Sequence, residues 1–186
     1  MLYGFAGAGV VGLVVVIAVF ALGGGSSSGA TSAGKSIQAD GCQFKTYPAL
    51  PVSHYATLTP SPPPTWNSVP PTSGRHYVRP LVFGQYDQPV LEIQAVHNLE
   101  HGGMILQYGS KVSKQQVDAI TQWYRADANA VVVAPLPSLG DKIAMTGWTR
   151  WSECTGFNVK AANTFRTAFR YQGPEKFPKS FLAPGQ

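Results

Sequence analysis

Apolar residues are not spread evenly along the chain. From Leu2 to Leu22 the residues are apolar, aromatic or glycine, with Val10–Phe20 at the centre. About 20 such residues are enough to span a bilayer as a helix. No Lys or Arg precedes the run, and it exceeds the apolar core of roughly 7–15 residues found in signal peptides. The pattern predicts a retained transmembrane anchor over residues 1–22, with cleavage after Ala30 or Ala33 as the alternative. Residues 23–39 are rich in Gly and Ser and read as a flexible linker. Residues 40–186 then form one globular domain.

Within that domain the pattern changes at about residue 90. Residues 40–90 are punctuated by prolines, each of which removes a donor and restricts its predecessor. Little helix is expected there, with a short strand at Ala56–Leu58 and a turn at Pro70-Pro71-Thr72-Ser73-Gly74. Beyond residue 90 the periodicity becomes regular. Pro89–Glu100 reads as a helix or a loop leading into one, stopped by Gly102-Gly103. Met104–Tyr108, Val131–Ala134, Ile143–Trp148 and Thr149–Cys154 read as strands. Ser113 caps a helix over Lys114–Arg125, with Val117, Ile120 and Tyr124 as its apolar positions. Asn158–Tyr171 is a second helix, with Val159, Ala162, Phe165 and Phe169 on one face. The tail from Gly173 is expected to pack loosely. The order predicts an α+β domain of two layers, a small mixed sheet with two main helices on one side.

Charge adds a compartment problem. Charged residues make up only 12% of the chain, about half the usual ~25%. The net charge of +5 lies wholly beyond residue 34, because no charged side chain precedes Lys35. A basic bias over Lys142–Lys179 suits anionic lipid headgroups or a solvated face. No aromatic and basic interleaving points to nucleic acid. Every Lys and Arg follows the apolar run, which taken alone would place the domain in the cytoplasm. Against this stand the tether, the distance to Lys35, and the two cysteines, Cys42 and Cys154. In an exported domain such a pair is most simply a disulfide. The reading is a single-pass membrane protein with its domain on the extracytoplasmic side.

The candidate chemistry lies in the four histidines, His54, His76, His97 and His101. On a helix His97 and His101, at i and i+4, share a face. Both imidazoles then reach one cation, and Glu100 stands close to the same face as ligand, outer-sphere acceptor or general base. His-x-x-Glu-His is also the spacing of one class of zinc peptidases, but the glycines at 102 and 103 cut short the long helix those enzymes use. His76 ends a rigid turn, and His54 precedes the proline-rich stretch. Imidazoles from separate segments suit Zn, Cu, Fe and Ni. Met104 would favour copper as a thioether donor, but it reads first as core. Taken singly, each histidine is as well explained as a hydrogen-bonded, partly buried polar group.

Several motifs together resemble a bacterial domain-of-unknown-function family of membrane-anchored extracytoplasmic proteins. They are Pro70-Pro71-Thr72-Ser73-Gly74-x-His76, Gly84-x-Tyr86, Val96-His97-Asn98-Leu99-Glu100-His101-Gly102, and further Ala134-Pro135, Ala144–Trp148 and Pro174-Glu175. The resemblance runs from about His54 to Glu175. It implies an exported domain with a shared His/Glu site and implies no reaction. Gly103 and Met104 depart from it, standing where a bulkier β-type residue is expected.

The residues lead to three functional expectations. The first is an extracytoplasmic metal-binding domain with His54, His76, His97, His101 and Glu100 around a Cu or Zn ion, used in metal handling or as an accessory to a membrane complex. The second is a metal-dependent hydrolase with Glu100 as base. The third is a partner-binding subunit of a membrane complex that holds no metal.

Overall fold

Five strands form the central sheet, in the order β1 (Gln43–Thr46), β7 (Arg150–Thr155), β6 (Lys142–Gly147), β4 (Met104–Tyr108), β5 (Val131–Pro135). This computed structural model describes residues 25–186. The β4–β5 pair is parallel and the others are antiparallel. Helix α3 (Lys114–Ala126) makes the crossover between the parallel strands. Two short strands, β2 (His54–Tyr55) and β3 (His76–Tyr77), form a separate parallel ladder. Helices α1 (Gly25–Ala39), α2 (Glu92–Glu100) and α4 (Val159–Phe169) complete the α+β architecture.

Local chemistry explains the regular half. The Ser113 hydroxyl accepts from the Gln116 N–H at the start of α3, and Asn158 Oδ1 accepts from the Lys160 and Ala161 N–H groups at the start of α4. Helix α2 ends in a Schellman arrangement. Gly102, at φ 87°, donates to the Leu99 carbonyl, and Gly103 donates to that of Asn98.

The sheet is covered on both faces, which corrects the expected two layers. Met104, Leu106, Val131, Val133, Ile143 and Met145 pack with residues of α1, α3 and α4, among them Ile37, Ile120 and Phe165. The intervening Ile105 and Val132 point to the other face, where they meet Ala95 and Leu99 of α2, Leu81 and Phe83 of the preceding loop, and Leu182. Successive strand residues face opposite ways, and the apolar run at β5 is what a strand buried on both sides requires.

Other expectations also change. The stretch 23–39, read as a flexible linker, is helical from Gly25 onward. Ala30, Ala33, Gly34 and Ile37 recur at helical spacing and turn inward. A Cβ at Gly34 would come within 2.5 Å of the Phe44 ring, so glycine there is the condition for close packing rather than a sign of flexibility. Ala56–Leu58 is not a strand; pairing occurs just before it, at His54–Tyr55. The tail is not loose. Leu182 is buried, its carbonyl accepts from Ala130 N–H, and Gln186 accepts from Phe83 N–H. The free edge of β5 is capped by residues 84–86, through Tyr86 N–H to Val133 O and Val133 N–H to Gly84 O.

Cys42 and Cys154 form a disulfide that ties the start of β1 to β7 across 112 residues of sequence. Such a bond suggests an oxidising environment. The expected anchor over 1–22 lies outside the described residues. Among the described residues no helix is long and apolar enough to cross a membrane.

Candidate metal centre

Three segments bring the histidines together. The β2–β3 register sets His54 directly opposite His76, and α2 presents His97, Glu100 and His101 from its last turn. The rings of His54, His76 and His97 have centroids 4.6–5.0 Å apart. Glu100 Oε2 stands 3.1 Å from His76 Nε2, 3.6 Å from His54 Nε2 and 4.0 Å from His97 Nε2. One donor atom from each of His54, His76, His97 and Glu100 lies within 4.8 Å of all the others. Ligands held at ~2.0–2.1 Å on a tetrahedral ion lie about 3.3 Å apart, a spacing that the Glu100 distances bracket.

The outer hydrogen bonds fix which nitrogen faces inward. His76 Nδ1–H donates to the Gly74 carbonyl and His97 Nδ1–H to the Tyr77 carbonyl, both at 2.8 Å. A carbonyl can only accept, so each neutral ring turns the bare lone pair of Nε2 to the centre. His76 is fully buried and Glu100 is 3% exposed, yet His76 Nε2 and Glu100 Oε2 find no hydrogen-bond partner among the described residues. Two acceptors 3.1 Å apart in a buried site require a positive charge between them, either a proton or a metal cation. His54 is the solvent-facing member, with a side chain 39% exposed.

His101 stands beside this set, its Nε2 3.0 Å from His97 Nε2 and 3.1 Å from Glu175 Oε2. Phe177 packs on its ring at 4.1 Å between centroids. Burial is the main cause that lowers the pKa of His76, His97 and His101, the last to about 4. Neighbouring imidazoles lower all three further, while Glu175 pulls His97 and His101 the other way. Burial, with Glu175 adding to it, raises that of Glu100. The imidazoles of His76, His97 and His101 are therefore neutral near pH 7, the form that coordinates metal.

The rest of the α2 motif holds this geometry. Asn98 is fully buried; its Oδ1 accepts from Leu81 N–H and its Nδ2 donates to Leu81 O, each at 2.8 Å. That pair straps the loop after β3 to the helix. Leu99 enters the core on the α2 face. Met104 belongs to the opposite-face core with Ile120 and Val131, so its thioether takes no part in the cluster.

All five residues singled out from the sequence, His54, His76, His97, Glu100 and His101, meet here. Glu175 joins them, although the tail carrying it was expected to be loose. Its backbone N–H donates to Glu100 O at 3.1 Å, and Tyr171 N–H donates to Gly102 O at 2.6 Å. The two strands of backbone cross so closely that a Cβ on Gly173 would overlap the Glu100 carbonyl oxygen and the Gly102 nitrogen. The glycine at 173, followed by Pro174-Glu175, is the one local sign of this crossing.

Fold and site together define an α+β domain with a disulfide and a buried His/Glu cluster capable of holding a cation. The chain belongs to the family described as "Protein of unknown function (DUF3105)", whose model matches residues 61–180. His76, His97, Glu100, His101 and Glu175 fall inside the matched span, while His54 and Cys42 precede it. No curated protein and no solved structure matches the chain.

Proposed function

We propose that this is a membrane-anchored extracytoplasmic protein whose domain binds a transition metal ion, Cu or Zn, through His54, His76, His97 and Glu100, with His101 alongside. The supporting observation is the buried pair His76 Nε2 and Glu100 Oε2, without a hydrogen-bond partner among the described residues, joined by two further imidazoles so that all four donor atoms lie within 4.8 Å of one another. A shared proton would satisfy one such pair, whereas a cation satisfies all four donors at once. Backbone carbonyls behind His76 and His97 orient the rings as the outer partners of metal-bound histidines do. The apolar run over 1–22, the disulfide and the family resemblance support the location. The role follows as metal handling or support of a membrane complex.

A hydrolytic role is the second reading, favoured by the exposure of His54, which leaves one side of the centre open to solvent. Glu100 lies within the donor set, so in that case it serves as ligand rather than as general base.

The test is direct. The full chain, stripped with chelator, is titrated with Zn²⁺ and Cu²⁺ while bound metal and thermal unfolding are measured. A cation at 100 times its dissociation constant should add about 2.7 kcal/mol of stability, and His76→Ala should remove that gain. Absence of both bound metal and any melting shift in the wild-type chain would leave the partner-binding reading in its place.

A further inference from the structure

Six donor side chains converge at the end of α2, yet they do not gather around one point. His54, His76, His97 and Glu100 form one mutually close set; His101 and Glu175 form a second with Glu100, its donor atoms equally within 4.8 Å of one another. Glu100 is the only side chain common to both.

We infer that the centre is dinuclear: a second divalent cation is held by His101 and Glu175, and the Glu100 carboxylate bridges the two ions. The inference rests on the first ion being bound as proposed above. Three observations carry it. Glu100 is buried and its Oε2 has no hydrogen-bond partner among the described residues, as expected of a carboxylate that binds cations. His101 Nε2 and Glu175 Oε2 stand 3.1 Å apart, a hydrogen-bonded contact in the metal-free chain that also has the separation of neighbouring ligands on one ion with bonds of about 2.0–2.2 Å. The tail is fastened to the helix by the Glu175 N–H to Glu100 O bond, made possible by the Gly102–Gly173 crossing, so Glu175 is delivered to this place by backbone structure.

The two positions differ in character. The first offers three imidazoles and one carboxylate oxygen, the second one imidazole and two carboxylate oxygens. Nitrogen-rich donors suit Cu and Zn, while the oxygen-rich set shifts preference toward harder ions such as Mn. Three protein ligands also leave the second ion an open coordination position, the pattern of catalytic rather than structural zinc. Two carboxylates leave two divalent ions with excess positive charge. The ligand class that fits is therefore an oxyanion or hydroxide bound across the pair, as in two-metal sites with ions roughly 3.5–4 Å apart.

The experiment is a metal count on the full chain, stripped and then loaded with Zn²⁺, Cu²⁺ or Mn²⁺ alone or in pairs, by native mass spectrometry and elemental analysis, for wild type and for Glu175→Ala. Glu175 is half exposed, so the variant is expected to fold, and circular dichroism checks this. Two divalent ions per wild-type chain, falling to one in Glu175→Ala, is the expected result. One ion in both overturns the dinuclear inference and leaves the single-ion reading intact. Two ions in both overturns the assignment of Glu175. No bound ion in wild type overturns both readings. Glu175→Gln, which keeps shape and loses charge, should also bind one ion.

Discussion

Replacing Gly173 with alanine tests whether the C-terminal segment is part of the centre. The added methyl would overlap the backbone of Glu100 and Gly102 and stand 2.8 Å from the Glu100 carbonyl carbon. These are backbone atoms at the end of α2 and cannot rotate away, so the segments must part. Separation removes two backbone hydrogen bonds, Tyr171 N–H to Gly102 O and Glu175 N–H to Glu100 O. At about 0.5–1.5 kcal/mol each, the loss is about 1–3 kcal/mol. For a domain of this size, with roughly 2–4 °C per kcal/mol, the melting temperature should fall by about 2–12 °C. The assay is thermal unfolding of the metal-free full chain followed by circular dichroism. Gly29→Ala is the control, since at that exposed position in α1 an added Cβ meets nothing within 4 Å among the described residues; it should be neutral or stabilising by about 0.5–1 kcal/mol. If Gly173→Ala melts with the wild type, the crossing is not a real constraint, and the placement of Glu175 loses its support.

Other perturbations probe separate parts of the molecule. Replacing both Cys42 and Cys154 with serine opens a loop of 112 residues; chain entropy gives a loss of about 4–5 kcal/mol, read as a lower urea midpoint that reductant does not change further, and a loss under 1 kcal/mol would contradict the estimate. Asn98→Ala leaves both backbone groups of buried Leu81 without their partner, a loss of about 2–4 kcal/mol; a surface-like effect in urea denaturation would show that the strap is dispensable. In the metal-free chain, histidines held neutral by burial take up protons in the unfolded state first, so stability should decline as pH drops from 6.5 toward the folded-state values, about 4 for His101. For His101 this amounts to at most about 3 kcal/mol. Glu100, with its carboxyl raised, acts in the opposite sense, favouring the fold as pH falls through its raised value toward 4.5; a urea midpoint at pH 5 equal to or above that at pH 7 would mean that the histidines do not dominate.

The parts of the fold that could be read from the chain are those whose determinants are local. Ser113 and Asn158 cap their own helices, and the amphipathic stripes of α3 and α4 sit within single segments. What escaped reading depends on distant partners. Helix α1 looks like a linker because glycine and serine disfavour helix in isolation; it forms where Gly34 lets Phe44 approach and Ile37 is buried. The third layer was hidden because β5 is apolar at every inner position, so no alternation shows that Val132 faces α2 while Val131 and Val133 face α3 and α4.

The same division runs through the candidate site and explains its order of legibility. His97, Glu100 and His101 were visible because a helix turns sequence spacing of three and four directly into spatial proximity. His76 was visible as the end of a rigid turn, but its union with His54 is a matter of β2–β3 register, which two-residue strands do not encode locally. Glu175 is the extreme case. It sits 75 residues beyond Glu100 in a segment without regular structure; the resemblance covers Pro174-Glu175, but of its physical role only Gly173 gives a local sign. The glycine at 102 was read as a helix stop, which is half of its work. Its positive φ turns the chain, and its missing side chain also admits the backbone at Tyr171, 2.9 Å from where a Cβ would stand. A glycine that ends a histidine-bearing helix is thus worth pairing with later glycines, because close backbone crossings need small residues on both sides. Here that pairing locates Glu175, the residue on which the inferred second ion depends.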